Sequence, residues 1–197
     1  MKLLMQKISQ NLKINFYNFG DGVVNLECGS DYVKMNKLAP INCFLEAGTK
    51  WASFDGDADR VIYYYKPHSS SEIKLLDGDK IACLYALFVS ELLKDCDPEG
   101  KLKVSIVQTA YSNGNSTKYI KDTLKIPVFC VATGVKNLIR KIRECDIGIY
   151  FEANGHGSIG MSKNTIIHLK SARDQGCKSA MMLLQVLDLM NQVRCFF

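Results

Sequence analysis

Residues 101–151 read KLKVSIVQTAYSNGNSTKYIKDTLKIPVFCVATGVKNLIRKIRECDIGIYF, and this stretch decides the fold class. Short apolar runs alternate in it with longer amphipathic runs, which is the pattern of a β-α-β-α-β unit. Strands connected through helices in this way lie parallel in one sheet, with the helices packed on its faces. The predicted strands are 104–108, 126–131 and 147–151, and the predicted helices are 115–124 and 134–143. The sequence therefore predicts an α/β fold.

The loops that follow the three predicted strands are expected at one edge of this sheet. Ligands of open α/β sheets bind outside the carboxyl ends of the strands. Residues 109–113, 132–134 and 152–157 therefore form the expected ligand-facing edge. Within it, Thr109 and residues 113–116 are interpreted as strand-end and helix-cap residues rather than as ligand contacts.

The remainder of the chain predicts further strands and two long helices. Four strands are expected before the unit described above, at 14–19, 51–54, 61–65 and 73–76. A helix is predicted from Asp79, which serves as its N-cap, to about Lys94. A last helix is predicted at 178–193. The chain thus divides into an N-terminal part, 1–100, and a C-terminal part, 101–197.

Bulk composition indicates a globular protein without a membrane segment. The chain has 197 residues, of which 47% are hydrophobic and 23% are charged, which is ordinary for a domain with a buried core. Its longest apolar run, 81–89, has nine residues, whereas a membrane helix needs about 20. Gln6 and Lys7 interrupt the apolar start too early for a signal peptide. We therefore expect a cytoplasmic protein that has no membrane partner.

Cysteine spacing argues against a zinc-binding protein, and the sequence pattern argues against a nucleic-acid-binding protein. The eight cysteines include no C-x-x-C pair, which predicts reduced thiols and no zinc site. Net charge is +5, and residues 101–145 hold nine basic and two acidic side chains. Such a segment attracts anions, either a phosphorylated small molecule or nucleic acid. The aromatic and basic strand pattern of RNA-binding modules does not occur, so no nucleic-acid partner is expected.

Three carboxylates alternate directly after the predicted strand 51–54, in the segment SFDGDADR, 53–60. Asp55, Asp57 and Asp59 can turn to one side of a loop, where they offer the hard oxygen ligands that Mg²⁺ or Ca²⁺ prefers. An EF-hand would require Gly and Glu at the positions that Arg60 and Lys66 occupy here, so that alternative fails. A merely solvated acidic turn is the other alternative. The hydrophobic strands on both sides favour a metal site.

A second polar loop follows the predicted strand 147–151, in the segment YFEANGHG, 150–157. Glu152 can accept hydrogen bonds from two adjacent hydroxyl groups, and Asn154 can both donate and accept. The glycines allow the backbone to approach a ligand closely. This chemistry suits a sugar. The alternative is a polar turn in which His156 finds its partners locally.

Both loops resemble those of the α-D-phosphohexomutases, in the phosphoacetylglucosamine mutase branch. Further segments are similar to the same branch, at 26–33, 76–82, 107–111 and 133–136. The resemblance implies that the three aspartates hold Mg²⁺ and that Arg60 contacts the phosphoryl oxygens. Many relatives have a serine where this chain has Asn154.

The resemblance also implies which residues bind the substrate, a phosphorylated amino sugar. The implied contacts are Glu152, Ala153, Asn154 and His156. Lys136 could assist with a phosphate group or could equally be an exposed lysine in the first turn of a helix.

Family members have four domains, and the resemblance assigns parts of two to this chain. Residues 1–100 are expected to be an incomplete second domain that carries the acidic loop 55–60, called the metal loop below. Residues 101–197 are expected to be a truncated third domain that carries the loop 152–157, called the sugar loop below. The phosphoserine motif T-A-S-H-N and the phosphate-binding motif R-P-S-G-T of the other domains do not occur in the sequence. The pattern carries no information on oligomeric state.

The implied activity is that of an isomerase, an intramolecular phosphotransferase that interconverts N-acetylglucosamine 6-phosphate and 1-phosphate in UDP-N-acetylglucosamine biosynthesis. One alternative is a catalytically inactive truncated product that binds Mg²⁺ and sugar phosphate. Another is a Ca²⁺-dependent interaction module.

Overall fold

The structure, a computed structural model, describes residues 14–18, 20 and 22–194. The strands are β1 Lys50–Phe54, β2 Val61–Tyr65, β3 Lys74–Leu76, β4 Val104–Thr109, β5 Val128–Val131, β6 Ile147–Phe151 and β7 Gly157–Met161. The helices are α1 Gly29–Asn36, α2 Gly78–Cys96, α3 Gly114–Lys118, α4 Val135–Ile142, α5 Lys163–Asp174 and α6 Lys178–Arg194. A π-helical turn, Tyr119–Thr123, continues α3.

The first sheet contains three antiparallel strands in the order β1-β2-β3. Phe54 pairs with Val61, so the acidic segment 55–60 is the tight connection of the β1–β2 hairpin. Successive side chains of a strand point to opposite faces. In β2 this alternation buries Ile62 and Tyr64, and α1 covers them with Val33. The hairpin that carries the acidic loop is therefore fixed by a small core of its own.

The second sheet has four strands in the order β5-β4-β6-β7. Strand β4 lies at its centre and runs parallel to both β5 and β6, as the β-α-β-α-β pattern predicts. Strand β7 is antiparallel to β6, and the sugar loop connects the two. The sheet is thus mixed, and the predicted α/β class is confirmed.

Helices cover both faces of the second sheet, and the strand sequences explain which residues face which layer. In β4, Ile106 contributes to the core beneath α2, α5 and α6, whereas Val107 faces α4. Ile149 and Tyr150 divide in the same way in β6. Both strands are therefore buried on both faces, which is typical of parallel strands at the centre of a sheet.

Helix α2 begins at Gly78, directly after β3 ends at Leu76, and packs in the core of the second sheet. Its side chains Ala86, Val89 and Leu93 are buried together with residues of β4 and β6. The N-cap is Asp77, whose carboxylate accepts a hydrogen bond of 3.3 Å from the backbone N–H of Lys80. The predicted N-cap Asp79 is therefore wrong. Asp79 lies in the first turn instead, and its side chain is buried.

The predicted strand 14–19 is also wrong for residues 14–18, and Phe19 lies outside the described residues. Side-chain contacts, not a strand ladder, hold this segment. The Tyr17 and Trp51 ring centroids are 5.1 Å apart, and the Asn18 amide donates to the Ile41 carbonyl over 2.8 Å. Asn18 has a positive φ of 50°, which breaks an extended conformation.

Three elements had no counterpart in the predictions, namely α1, β7 and α5. Among the described residues, the helices are all too short or too polar to cross a bilayer.

Candidate functional site

The acidic loop brings its three carboxylates together. Asp55, Asp57 and Asp59 each offer an oxygen atom, and these atoms lie within 4.8 Å of one another. Oxygens around Mg²⁺ are separated by about 3–4 Å, because the metal–oxygen bonds are about 2.1 Å long. A small contraction of the loop would therefore produce one face of a coordination shell. Asp55 is buried, and the other two are exposed.

The guanidinium of Arg60 lies against this cluster. Its Nε atom is 2.6 Å from Oδ2 of Asp55 and 3.6 Å from Oδ1 of Asp59. Its Nη1 atom is 2.6 Å from Oδ2 of Asp31, a residue of α1. The backbone N–H of Arg60 also donates to Oδ1 of Asp55 over 3.1 Å. Arg60 is thus oriented by two carboxylates and remains partly exposed, with a side-chain exposure of 28%.

Electrostatic interactions within the cluster shift the pKa values of Asp55 and Asp59 in opposite directions. Burial disfavours the charged form of Asp55, but the hydrogen bonds from Arg60 outweigh burial and lower the pKa of Asp55. Burial, together with the neighbouring carboxylates Asp55 and Asp57, raises the pKa of Asp59. The ion pair with Asp55 raises the pKa of Arg60. A cation at the cluster would relieve the repulsion that acts on Asp59.

The sugar loop is a tight, internally hydrogen-bonded turn between β6 and β7. The N–H of Glu152 donates to the carbonyl of His156, and the N–H of Gly155 donates to the carbonyl of Glu152, each over 2.8 Å. The side-chain oxygen of Asn154 accepts from the N–H of His156 over 3.0 Å. These bonds fix the backbone, while the carboxylate of Glu152 and the amide nitrogen of Asn154 stay available to a ligand.

The two loops meet in space, although the sequence separates them widely. Arg60 and His156 form an isolated antiparallel bridge, and the N–H of Val61 donates to the carbonyl of Gly155 over 3.2 Å. His156 lies between the loops, with Nε2 3.8 Å from Oδ2 of Asp59 and Nδ1 4.0 Å from Oε2 of Glu152. The metal loop and the sugar loop therefore form one continuous site.

Two glycines permit this close approach. A Cβ atom on Gly155, whose φ is +93°, would lie 2.1 Å from the Val61 carbonyl oxygen. A Cβ atom on Gly78, the first residue of α2, would lie 1.7 Å from the carbonyl oxygen of Glu152. Real Cβ atoms do not approach oxygens so closely, so only glycine fits at either position. The sugar loop is wedged between the start of β2 and the start of α2.

Lys136 lies apart from this junction. It is exposed in the first turn of α4, after β5. Because β4 lies between β5 and β6, one strand separates Lys136 from the sugar loop. The residue shares the ligand-facing edge with the loops, at a greater distance across the sheet.

The described cysteines are free thiols that lie outside this site. Burial and the neighbouring Cys177 raise the pKa of Cys96 to about 11.

Sequence reasoning missed two residues that touch the loops. Asp31 pairs with Arg60, and the ammonium of Lys34 donates to the carbonyl of Ala153 over 2.5 Å. Both belong to α1, a helix of eight residues with little amphipathic pattern. Their spacing of three residues marks a shared helix face, but nothing in the sequence identifies a partner so distant along the chain.

Comparisons with known proteins show the family that this chain resembles. Residues 77–195 match the family model described as "Phosphoacetylglucosamine mutase AMG1, domain III". The phosphoacetylglucosamine mutase of Sus scrofa is 43% identical over 197 residues, which cover 98% of this chain and 36% of that protein. The Saccharomyces cerevisiae enzyme is 50% identical over 151 residues, which cover 76% of this chain and 27% of that protein. The chain thus spans about a third of the length of its curated relatives.

A solved structure shows the same arrangement of chain. The N-acetylphosphoglucosamine mutase of Aspergillus fumigatus, in complex with GlcNAc-6P and magnesium, superposes with a TM-score of 0.76 at 43% identity. The match covers 84% of this chain and 31% of that one. Because the family model matches more than half of the residues of this chain, the chain belongs to the phosphoacetylglucosamine mutase family of the α-D-phosphohexomutase superfamily.

Proposed function

We propose that this chain supplies the metal loop and the sugar loop of a phosphoacetylglucosamine mutase, which interconverts N-acetylglucosamine 6-phosphate and N-acetylglucosamine 1-phosphate. The observation that carries the proposal is the junction of the two loops through Val61, Gly155 and the Arg60–His156 bridge. A phosphoryl group held at the acidic loop would lie next to a sugar held at the second loop. The Aspergillus fumigatus relative, which binds GlcNAc-6P and magnesium, supports this choice of substrate and metal.

Three carboxylates, Asp55, Asp57 and Asp59, would hold Mg²⁺ in this proposal. Their donor set fits the ion, because hard oxygen ligands within 4.8 Å of one another suit a small divalent cation. When bound, Mg²⁺ neutralises charge on a transferring phosphoryl group.

Arg60 would contact the phosphoryl oxygens. Asp31 and Asp55 hold its guanidinium in place, so the fork is oriented before a ligand arrives. The planar guanidinium suits bidentate contact with phosphate oxygens. Because the Arg60 guanidinium does not have to reorganise when a ligand binds, it stabilises developing negative charge on the phosphoryl group effectively.

The sugar loop would bind the hydroxyl and acetamido groups of the substrate. Glu152 would accept from adjacent hydroxyls, and the amide of Asn154 would donate to the sugar. Ala153 and His156 would line the same surface, and Lys136 would contribute positive charge for a phosphate from farther along the edge. The internal hydrogen bonds of the loop support this role, since they fix its backbone without consuming the Glu152 carboxylate.

The division into two consecutive domains remains a proposal as well. The sequence alone predicts residues 1–100 as the second domain of the family and 101–197 as the third, but packing moves the proposed boundary towards the N-terminus. Helix α2 buries Ala86, Val89 and Leu93 in the core of the second sheet, which favours a boundary before Gly78. The family model for domain III, which matches from residue 77, supports the same refinement.

Calorimetric titration of the chain tests the proposal. We expect Mg²⁺ to bind and N-acetylglucosamine 6-phosphate to bind more tightly in its presence. Glu152→Ala should weaken sugar phosphate binding by more than about tenfold and leave Mg²⁺ affinity nearly unchanged. An exposed carboxylate remote from the site, Asp122, provides the matched control as Asp122→Ala. Absence of Mg²⁺ binding at neutral pH would refute the metal site.

A coupled mutase assay with Mg²⁺ and a sugar bisphosphate primer separates the alternatives. We expect no turnover from the 197-residue chain alone, because the sequence contains neither the phosphoserine motif nor the R-P-S-G-T motif of the family. Turnover above background would contradict that expectation. Preference for Ca²⁺ over Mg²⁺ without a sugar effect would favour a Ca²⁺-dependent module.

A further inference from the structure

One short helix touches both loops of the site. On α1, Asp31 pairs with Arg60 of the metal loop, with 2.6 Å between Oδ2 and Nη1. Lys34 donates from Nζ to the Ala153 carbonyl of the sugar loop over 2.5 Å. Residues three apart on a helix share a face. The same face of α1 therefore makes polar contacts to each loop.

Helix α1 has a fixed position from which to make these contacts. Val33 is fully buried and packs against Ile62 and Tyr64 of β2, the strand that leaves the metal loop. The helix starts at Gly29, where a Cβ atom would lie 3.3 Å from the carbonyl oxygen of Phe54, at the end of β1. The helix is thus seated on the hairpin that carries the acidic loop, and Lys34 projects from it towards the other loop.

A buried carboxylate at the start of α2 lies within electrostatic reach of the Lys34 ammonium. Asp79, in the first turn of α2, is 7% exposed. Burial raises the pKa of Asp79, whereas the charge of Lys34 and hydrogen bonds from Asn113 and Ser112 act in the opposite direction. The hydrogen bond from Lys34 thus joins the sugar loop near its contact with Gly78 at the start of α2, and the charge of Lys34 also favours the ionised form of Asp79.

We propose that Lys34 is a positioning residue that clamps the sugar loop to the metal loop, with α1 as the rigid connection between them. The proposal rests on the function proposed above, and it assigns a role to a residue outside the proposed sets of metal ligands and sugar contacts. Asp31 forms the other arm of the clamp through Arg60. Loss of Lys34 leaves the sugar loop with its internal hydrogen bonds but without its charged donor. The binding-competent geometry is then less populated, which weakens apparent affinity in proportion.

The first test measures loop opening without any ligand. Amide hydrogen exchange over residues 152–157 is compared between the wild type and Lys34→Met, whose side chain has similar length without the charge. We expect exchange in this segment to accelerate about tenfold in the variant, because a hydrogen bond to a charged donor is lost. Lys34→Arg should restore slow exchange. Unchanged exchange at 152–157 in a folded Lys34→Met protein would overturn the clamp.

A matched control separates the clamp from a general effect of removing a lysine. The ammonium of Lys80 also donates to a backbone carbonyl, that of Leu75, over 2.9 Å. Lys80→Met should leave exchange at 152–157 unchanged. If it accelerates exchange there as much as Lys34→Met does, the effect is not specific to Lys34 and the clamp is refuted.

The second test measures ligand binding. Lys34→Met should raise the Kd for N-acetylglucosamine 6-phosphate about tenfold at saturating Mg²⁺, while the Kd for Mg²⁺ alone stays within about twofold. If the wild type binds neither ligand, the proposed function fails, and the exchange experiment still decides the clamp. If the wild type binds both and Lys34→Met binds the sugar phosphate equally well, the clamp fails and the proposed function stands.

A measurement on the wild type covers the case in which Lys34→Met does not fold. NMR of ¹⁵N-labelled lysine side chains reports whether the Lys34 ammonium is hydrogen-bonded, through slow proton exchange and a coupling to the Ala153 carbonyl carbon. We expect both for Lys34 and neither for the exposed Lys136. Rapid exchange and no coupling at Lys34 would refute the contact. Lys34→Gln, which keeps a neutral donor, then serves as the milder variant for the exchange experiment.

Discussion

At the scale of single residues, the three aspartates of the metal loop differ in what they contribute to the folded chain. Asp55 is buried and paired with Arg60, Asp59 is repelled by its neighbours, and Asp57 is exposed. Removal of a carboxylate therefore has different consequences at each position. Stability and metal affinity respond separately, which makes the two quantities a sensitive test of the proposed site.

Asp57→Ala isolates metal affinity. Because Asp57 is exposed, the substitution should change the melting temperature of the metal-free chain by less than about 2 °C. The rise in melting temperature that Mg²⁺ produces in the wild type should disappear, since one of three ligands is lost. Thermal denaturation at about millimolar Mg²⁺, with and without an about tenfold molar excess of EDTA, measures both melting temperatures. Asp122→Ala, an equally exposed carboxylate elsewhere, should keep the full Mg²⁺ shift. A retained shift in Asp57→Ala would remove Asp57 from the site.

Asp55 and Asp59 should respond oppositely to neutralisation at pH 7. The lowered pKa of Asp55 means that its charge stabilises the fold above the ordinary aspartate pKa of about 3.9, and that this stability is lost as pH falls through the folded value. The raised pKa of Asp59 means that its charge costs stability at neutral pH, and that the cost vanishes at low pH. Asp55→Asn should therefore destabilise the metal-free chain by about 2 kcal/mol, and Asp59→Asn should stabilise it.

Urea unfolding at several pH values between about 3.5 and 7, in EDTA, measures both effects. As pH falls, the Asp59→Asn difference should shrink first, while pH passes from the raised folded pKa of Asp59 to about 3.9, and the Asp55→Asn difference should begin to shrink only below about 3.9. Destabilisation by Asp59→Asn at pH 7 would show that its contact with Arg60 outweighs the repulsion from Asp55 and Asp57, and the assigned electrostatics would be wrong.

At the scale of secondary-structure elements, the start of α2 forms part of the wall behind the sugar loop. Gly78 lies so close to the Glu152 carbonyl that an added Cβ atom would clash with it. Alanine usually gains about 1 kcal/mol over glycine in a helix interior. Overpacking costs about 1–3 kcal/mol. Steric displacement therefore outweighs helix propensity at this position.

Gly78→Ala should destabilise the chain by about 1–2 kcal/mol and weaken sugar phosphate binding, because either α2 or the loop must shift. Gly114→Ala is the control, since Gly114 also begins a helix but has open space around it. That substitution should change stability by less than about 1 kcal/mol. Urea unfolding and calorimetric titration give the two quantities. Normal sugar affinity in Gly78→Ala would show that the contact with Glu152 does not fix the loop.

Element by element, the sequence predicted those parts of the fold whose local pattern is strong. Strands β4 and β6 are short runs dominated by Val and Ile, and the alternating aspartates follow directly on β1, so both features were visible without tertiary information. Strand β7 was missed because Gly157 and Gly160 weaken its pattern. Asp77 and Asp79 are equally good caps in isolation, and the folded chain distinguishes them by the hydrogen bond from Lys80 to Asp77 and by the burial of Asp79.

The junction of the two loops required the folded chain. Each loop was predicted to bind ligand at its own strand end, but the approach of Val61 to Gly155 depends on how the two sheets are placed around α2. The contact between Lys34 and Ala153 joins residues 119 positions apart, and no periodicity encodes such a pair. Sequence patterns therefore predicted which side chains could bind ligands, whereas the approach of the two loops is a tertiary property.

At the scale of the whole molecule, α2 decides how the chain divides. It follows the first sheet directly, yet its buried side chains Ala86, Val89, Leu93 and Cys96 belong to the core of the second. A core that loses such a helix exposes the apolar faces of β4 and β6 to water. Each fully buried Val or Leu contributes about 1.5–3 kcal/mol, so Val89 and Leu93 alone contribute about 3–6 kcal/mol, which is comparable with the stability of a whole domain.

Two truncated chains test this division directly. Residues 77–197, which include α2, should fold cooperatively, with a single urea transition and dispersed amide NMR signals. Residues 101–197, which lack α2, should show no cooperative transition and should bind a hydrophobic dye, because the faces of β4 and β6 that α2 buries remain exposed. The loss follows from packing and not from chain length, since Leu93→Ala in the longer chain should already reduce its stability by about 2–4 kcal/mol. A cooperatively folded 101–197 chain would place the boundary after α2 and would refute the proposed assignment of this helix to the third domain of the family.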